Sequence, residues 1–223
     1  MAYRLVIFDF DGTLSDSAAW MRRTINQVAD RYRFKRIQDH EFALLRGRDN
    51  RAIVRHLGVP AWKMPLIANH MRKRMGRDAD QIRLFAGAGD LLRRLHAEGV
   101  TLAIVTSNAE RNVRRILGPE AAALIPYYEC GASIFGKAAR FRRVLKRSGV
   151  PRQAVLCIGD ETRDIEAAAS LGLAAGAVTW GYATAQILRA HGPTHVFHNL
   201  DEIGALLTGG ATARRLALGR AEP

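Results

Sequence analysis

Hydrophobic and polar positions along the chain change rhythm twice. Tyr3 to Phe8 is a short apolar run closed by Asp9 and a turn at Gly12, the pattern of a buried strand. Met21, Ile25, Val28 and Tyr32 then recur at helical spacing, with Arg22, Arg23, Arg31 and Arg33 off that stripe. Helical patterning continues to about Met75, broken near Gly47, Gly58 and Pro60, and no strand is expected within it.

From Gly87 the chain alternates. Leu91, Leu92 and Leu95 mark an amphipathic helix that ends near Gly99, and Val100–Val105 reads as a strand. A helix follows over about Ala109–Leu117. A strand is expected over Tyr127–Ile134, a helix over Lys137–Arg147 and a strand over Val155–Ile158. Asp164–Leu171 then predicts a helix, Leu173–Val178 a strand and Thr184–Arg189 a helix. His195–Phe197 and Leu200–Leu207 give a last strand and helix. Strands separated by helices imply an α/β fold with a doubly wound, Rossmann-like parallel sheet. The helical block after the first strand is then an inserted all-helical cap. The expected division is a core of 1–15 and 84–208, a cap of 16–83, and a polar, Arg-containing tail of 209–223, frayed from the core.

Composition narrows the class. The 223 residues are 48% hydrophobic, enough for a full core and against global disorder. Cys130 and Cys157 are too few for a disulfide framework and form no C-x-x-C pair, which suits a reducing, cytoplasmic setting without structural zinc. The opening apolar run meets Asp9 too soon for a signal peptide. Ala167–Leu188 has no charged side chain, but its Gly172, Gly176, Gly181, Ser170, Thr179 and Gln186 suit helix end, strand and loop rather than a membrane span. Net charge is +13, of which +9 falls between Asp16 and Arg83. That excess either steers anionic substrates or coats an ordinary solvated surface.

Polar residues at strand ends carry the candidate chemistry. In parallel sheets, ligands bind at the carboxyl ends of the strands. The first strand ends in Asp9-Phe10-Asp11-Gly12-Thr13, another in Thr106-Ser107-Asn108, and a third in Gly159-Asp160-Glu161-Thr162-Arg163-Asp164. Lys137 opens the helix between the last two. With these strands adjacent, Asp9, Asp11, Asp160 and Asp164 converge and need a cation, since like charges about 4 Å apart repel by roughly 4 kcal/mol at an effective dielectric of 20. Hard oxygen ligands without a local His or Cys cluster favour Mg²⁺. His195 and His198 flank Val196-Phe197, but strand alternation separates their faces, so both read as structural. Cys157, mid-strand, reads as a small core residue.

These segments resemble, in order, the four motifs of the haloacid dehalogenase superfamily: D-x-D-G-T, a strand-end Thr or Ser, a Lys, and G-D-x-x-x-D. Gly181-Tyr182, after Ala177-Val178-Thr179-Trp180, is further similar to phosphoglycolate phosphatase-like members. The resemblance spans about Tyr3 to Leu207. It implies a Mg²⁺-dependent phosphatase with Asp9 as nucleophile and Asp11 as proton donor, then base. Thr106 and Lys137 would complete the catalytic set. Gly12, Thr13, Ser107 and Asn108 would bind phosphate. Asp9, Asp160 and the main-chain carbonyl of Asp11 would hold the metal. Asp164 would orient Lys137 or a metal-bound water, and Glu161 either supports the metal site or faces solvent.

Leu45-Arg46-Gly47-Arg48 resembles, less closely, the substrate-contacting loop of capped members. Arg48, with Arg46, would then select a small anionic phosphorylated metabolite of the phosphoglycolate kind; otherwise both are solvated. No nucleic-acid or membrane partner is expected, and the sequence leaves the oligomeric state open. A sugar-phosphate mutase or a pyrophosphatase would use the same core residues. A dehalogenase is less compatible with Asp11, and a non-catalytic anion binder should lack a motif residue.

Overall fold

The computed structural model describes residues 3–131 and 136–208. The expected tail 209–223 and the end of the strand reaching to Ile134 lie outside the described residues. Six strands form one parallel sheet: β1 (Leu5–Phe8), β4 (Thr101–Val105), β5 (Tyr127–Glu129), β6 (Val155–Gly159), β7 (Ala174–Val178) and β8 (His195–Phe197). Their order is β5-β4-β1-β6-β7-β8, so β1 lies between β4 and β6. Phe8 pairs with Ile104 on one side and Ile158 on the other, which aligns the ends of all three strands.

Both sheet faces are covered, as all-parallel sheets require. Val6, Phe8, Leu102, Ile104, Leu156 and Ile158 pack on one face with helices α5 (Ala88–Ala97) and α6 (Glu110–Ala123). The alternate residues Leu5, Ile7, Ala103, Val105, Val155 and Cys157 pack on the other with α7 (Lys137–Ser148), α8 (Thr162–Ala169) and α9 (Ala185–Ala190). A final helix, α10, covers 200–208. Gly176 on β7 admits the Phe197 ring; a Cβ there would lie 2.7 Å from it. The uncharged stretch Ala167–Leu188 is the end of α8, β7, a loop and the start of α9. Among the described residues no helix is long and apolar enough to cross a membrane.

Four helices follow β1: α1 (Ala18–Tyr32), α2 (Asp39–Leu45), α3 (Asn50–His56) and α4 (Met64–Arg77). Gln38 and Glu41 form a capping box on α2, and Asp49 accepts the Ala52 amide at 2.7 Å to start α3 beyond Gly47. Two short strands, β2 (Ser15–Asp16) and β3 (Arg83–Leu84), pair antiparallel, Ser15 with Leu84 and Asp16 with Arg83. Two-residue strands leave no alternation to read, so the sequence pattern misses them.

Other differences are local. The Tyr127 strand ends at Glu129. The helix expected to stop at Leu117 resumes past a kink at Gly118, φ 76°, because Pro119 is compatible with the first turn of a new helical segment.

Burial ranks the sites that hold this core. Leu102, 1% exposed, replaced by Ala should cost about 2–5 kcal/mol. Leu44→Ala, at a position 64% exposed, should stay within about 0.5 kcal/mol of wild type. Urea denaturation of both variants checks the contrast.

Candidate active site

Asp9 leaves β1 into a buried position and is held at both oxygens. Oδ1 accepts the Phe10 amide at 2.7 Å, and Oδ2 lies 2.7 Å from Lys137 Nζ. Lys137 stands at the start of α7 and also pairs with Asp164 Oδ1. Burial alone would lower the Lys137 pKa, but Asp164 and Asp9 outweigh it and leave the ammonium above its ordinary value.

Asp160 follows β6 and is fully buried. It accepts from Thr13 Oγ1 at 2.9 Å and the Tyr182 amide at 2.8 Å. Among the described residues no cation pairs with it. Burial first, then the charges of Glu161, Asp9 and Asp164, push its pKa well above the carboxylate range. The Thr13 hydroxyl thus orients the Asp160 side chain. Glycines make the space: a Cβ on Gly181 would lie 2.3 Å from Asp160, one on Gly159 2.3 Å from Asp164, and one on Gly12 2.2 Å from Asp160 Oδ2. Gly12 also adopts φ +81°, which a side chain would strain.

Asp11 turns the other way. Its carboxylate accepts from Asn108 Nδ2 at 3.1 Å and Ser15 Oγ at 3.3 Å. Burial and then the Asp9 charge raise its pKa to about 7. Thr106 Oγ1 accepts the Asn108 amide at 3.1 Å, which leaves its hydroxyl proton available to donate elsewhere. Ser107 and Asn108 line the same cavity as Asp9 and Asp11.

Oxygens of Asp9, Asp160 and Asp164 lie within 4.8 Å of one another. Around them stand five carboxylates, from Asp9, Asp11, Asp160, Glu161 and Asp164, against two cations, Lys137 and Arg163. A divalent cation fits this excess of buried negative charge and this all-oxygen donor set.

Helical residues close the site from above, and the sequence pattern did not single most of them out. Asn50 Nδ2 donates to Glu161 Oε1 at 2.8 Å, Arg72 Nε to the Ser107 carbonyl at 2.9 Å, and Arg163 pairs with Glu161. Glu161 thus serves as an anchor between helices and core. Arg46 donates to the Tyr182 and Gly181 carbonyls, both at 3.1 Å. Arg48 lines the cavity. Apart from the Arg163–Glu161 pair, such contacts join residues far apart in sequence and leave no local signal. His195 bonds Tyr3 at 2.8 Å, well away in sequence and sheet position from the strand ends β1, β4 and β6.

The haloacid dehalogenase-like hydrolase family model matches residues 6–178. The chain belongs to this family and is a phosphatase of it. It is 34% identical to the phosphoglycolate phosphatase of Synechococcus elongatus over 189 residues, 84% of this chain and 89% of that one. It is 30% identical to the tyrosine-protein kinase PtkA of Mycobacterium tuberculosis, over 90% of this chain and 71% of that one. The fold matches a haloacid dehalogenase-like family protein from Streptococcus pneumoniae, with TM-score 0.74, 19% identity, and 91% and 97% of the two chains covered.

Asp11 links this geometry to pH. An ordinary carboxyl in the unfolded chain loses its proton near pH 4, whereas folded Asp11 holds it to about pH 7. Folding stability is therefore lost at this group as pH rises between those values. In chelator, Asp11→Asn should gain on wild type by about 1–4 kcal/mol between pH 5 and pH 8. A constant difference in urea midpoint across that range would contradict the raised pKa.

Proposed function

We propose that the chain is a Mg²⁺-dependent phosphomonoesterase working through an aspartyl phosphate on Asp9. The observation that carries this reading is Asp9 itself: a buried carboxylate oriented by the Phe10 amide and Lys137, facing a cavity it shares with Asp11. Asp9 attacks phosphorus as the bond from phosphorus to the alcohol oxygen breaks. Asp11, with a pKa of about 7, gives its proton to the departing oxygen. It then takes a proton from the water that attacks the acyl phosphate, releasing phosphate and restoring Asp9. Lys137 orients Asp9 and offsets phosphate charge, and the Thr106 hydroxyl donates to a phosphoryl oxygen.

Asp9, Asp160 and the Asp11 carbonyl would hold Mg²⁺, with Asp164 fixing Lys137 beside them. When bound, the ion would offset charge on the transferring phosphoryl group. Segment 16–83 serves as the cap, joined to the core through the β2–β3 ribbon. Arg48, which lines the cavity, is suited to pair with anionic groups, and phosphoglycolate, named for relatives such as the Synechococcus elongatus enzyme, is one substrate to try.

Asp9→Asn keeps the shape but removes the nucleophile. Its kcat with Mg²⁺ should fall by about 10³-fold or more, while its melting temperature stays at or above wild type because one buried charge is gone. Retention of a tenth of the wild-type rate, or full wild-type activity after exhaustive chelation, would contradict the mechanism.

A further inference from the structure

Resting on the phosphatase reading, we infer that the preferred substrate is a phosphomonoester of an apolar alcohol, its body seated in the cavity above Asp9. The inserted helices do not share one core. Trp20, Met75 and Ile82 form one packed cluster, and Ile37, Leu45 and Leu57 another. Between them lies a cavity of about 370 Å³ that reaches down to Asp9 and Asp11.

Its wall is built from apolar side chains. Met21, Met64, Met71, Met75, Ile25 and Ile53 line it, and they include four of the chain's five methionines. All but Met75 keep partial exposure on the inward faces of their helices, where packed cores would bury them. Thioether side chains adapt to irregular apolar ligands. Apolar walls that face open space forgo the dispersion contacts a ligand body would restore.

Three of the four arginines that line the cavity are tied to the loops at its phosphate end. Arg46 is held by Gly181 and Tyr182, Arg72 by Ser107 and Arg163 by Glu161, with Arg48 as the fourth. A carboxymethyl group would reach that rim and leave the methionine wall uncovered. An aryl or medium-chain alkyl group would fill it. Burial of each added methylene gains enough transfer free energy to raise kcat/KM about three- to fourfold.

The test is phosphate release by the full chain with Mg²⁺ from methyl, butyl and hexyl phosphate and from phosphoglycolate. Expected is a rise in kcat/KM of about three- to fourfold per methylene, with hexyl phosphate above phosphoglycolate. Ala68→Phe, which fills the cavity, and Met64→Gln, which makes its wall polar, should each bring the hexyl-to-methyl ratio toward one. That ratio is insensitive to the fraction of protein folded. A flat or falling series with measurable release, phosphoglycolate above hexyl phosphate, or an unchanged ratio in both variants would overturn the inference while leaving the phosphatase reading intact. Release from none of the four esters would overturn both.

Discussion

Buried carboxylates of Asp9, Asp160 and Asp164 share one space with the ammonium of Lys137, and much of the molecule's form follows from keeping them there. Mutual repulsion in a poorly hydrated site is severe, so each oxygen needs a fixed donor or a cation. The parallel sheet supplies the placement: β1 and β6 end in register and deliver Asp9 and Asp160 side by side. Lys137 at the start of α7 and Asp164 in the first turn of α8 complete the cluster. Gly12, Gly159 and Gly181 then clear the volume the carboxylates occupy, since any Cβ at those positions would collide with Asp160 or Asp164.

The core was legible in the sequence because its signals are local. Apolar runs of four to five residues ending in Asp9, Thr106 and Asp160 give strand, strand end and chemistry together. The parallel sheet followed from strand–helix alternation, and the family from four motifs in order. The helical segment was less legible. Its apolar stripes predict helices but not that those helices would pack as two clusters with space between. The β2–β3 ribbon is too short to show periodicity. Arg46 and Arg48, one residue apart from Gly47, look alike in sequence, yet Arg46 is tied to the Gly181 and Tyr182 carbonyls and Arg48 lines the cavity. Asn50 and Arg72 take their roles from partners distant along the chain, Glu161 and Ser107, which no local pattern records.

Polarity divides the site into two environments. Charge, amides and hydroxyls surround the place where phosphate would sit, whereas methionine and branched alkyl groups surround the space above it. The positive excess of 16–83, +9, lies largely on exposed arginines and so acts at long range, raising the local concentration of anions rather than grading their shape. Selection by shape and polarity falls to the cavity wall.

The central claim, that Asp9 carries the phosphoryl group, is tested most directly by reductive trapping. Protein mixed with Mg²⁺ and substrate, quenched during turnover and treated with borohydride, would have any aspartyl phosphate reduced to homoserine. Mass spectrometry of the peptide containing residues 5–22 should then show homoserine at position 9 in a substrate-dependent fraction, and aspartate at position 11. Aspartate at both positions under active turnover, or homoserine at another carboxylate, would contradict the account.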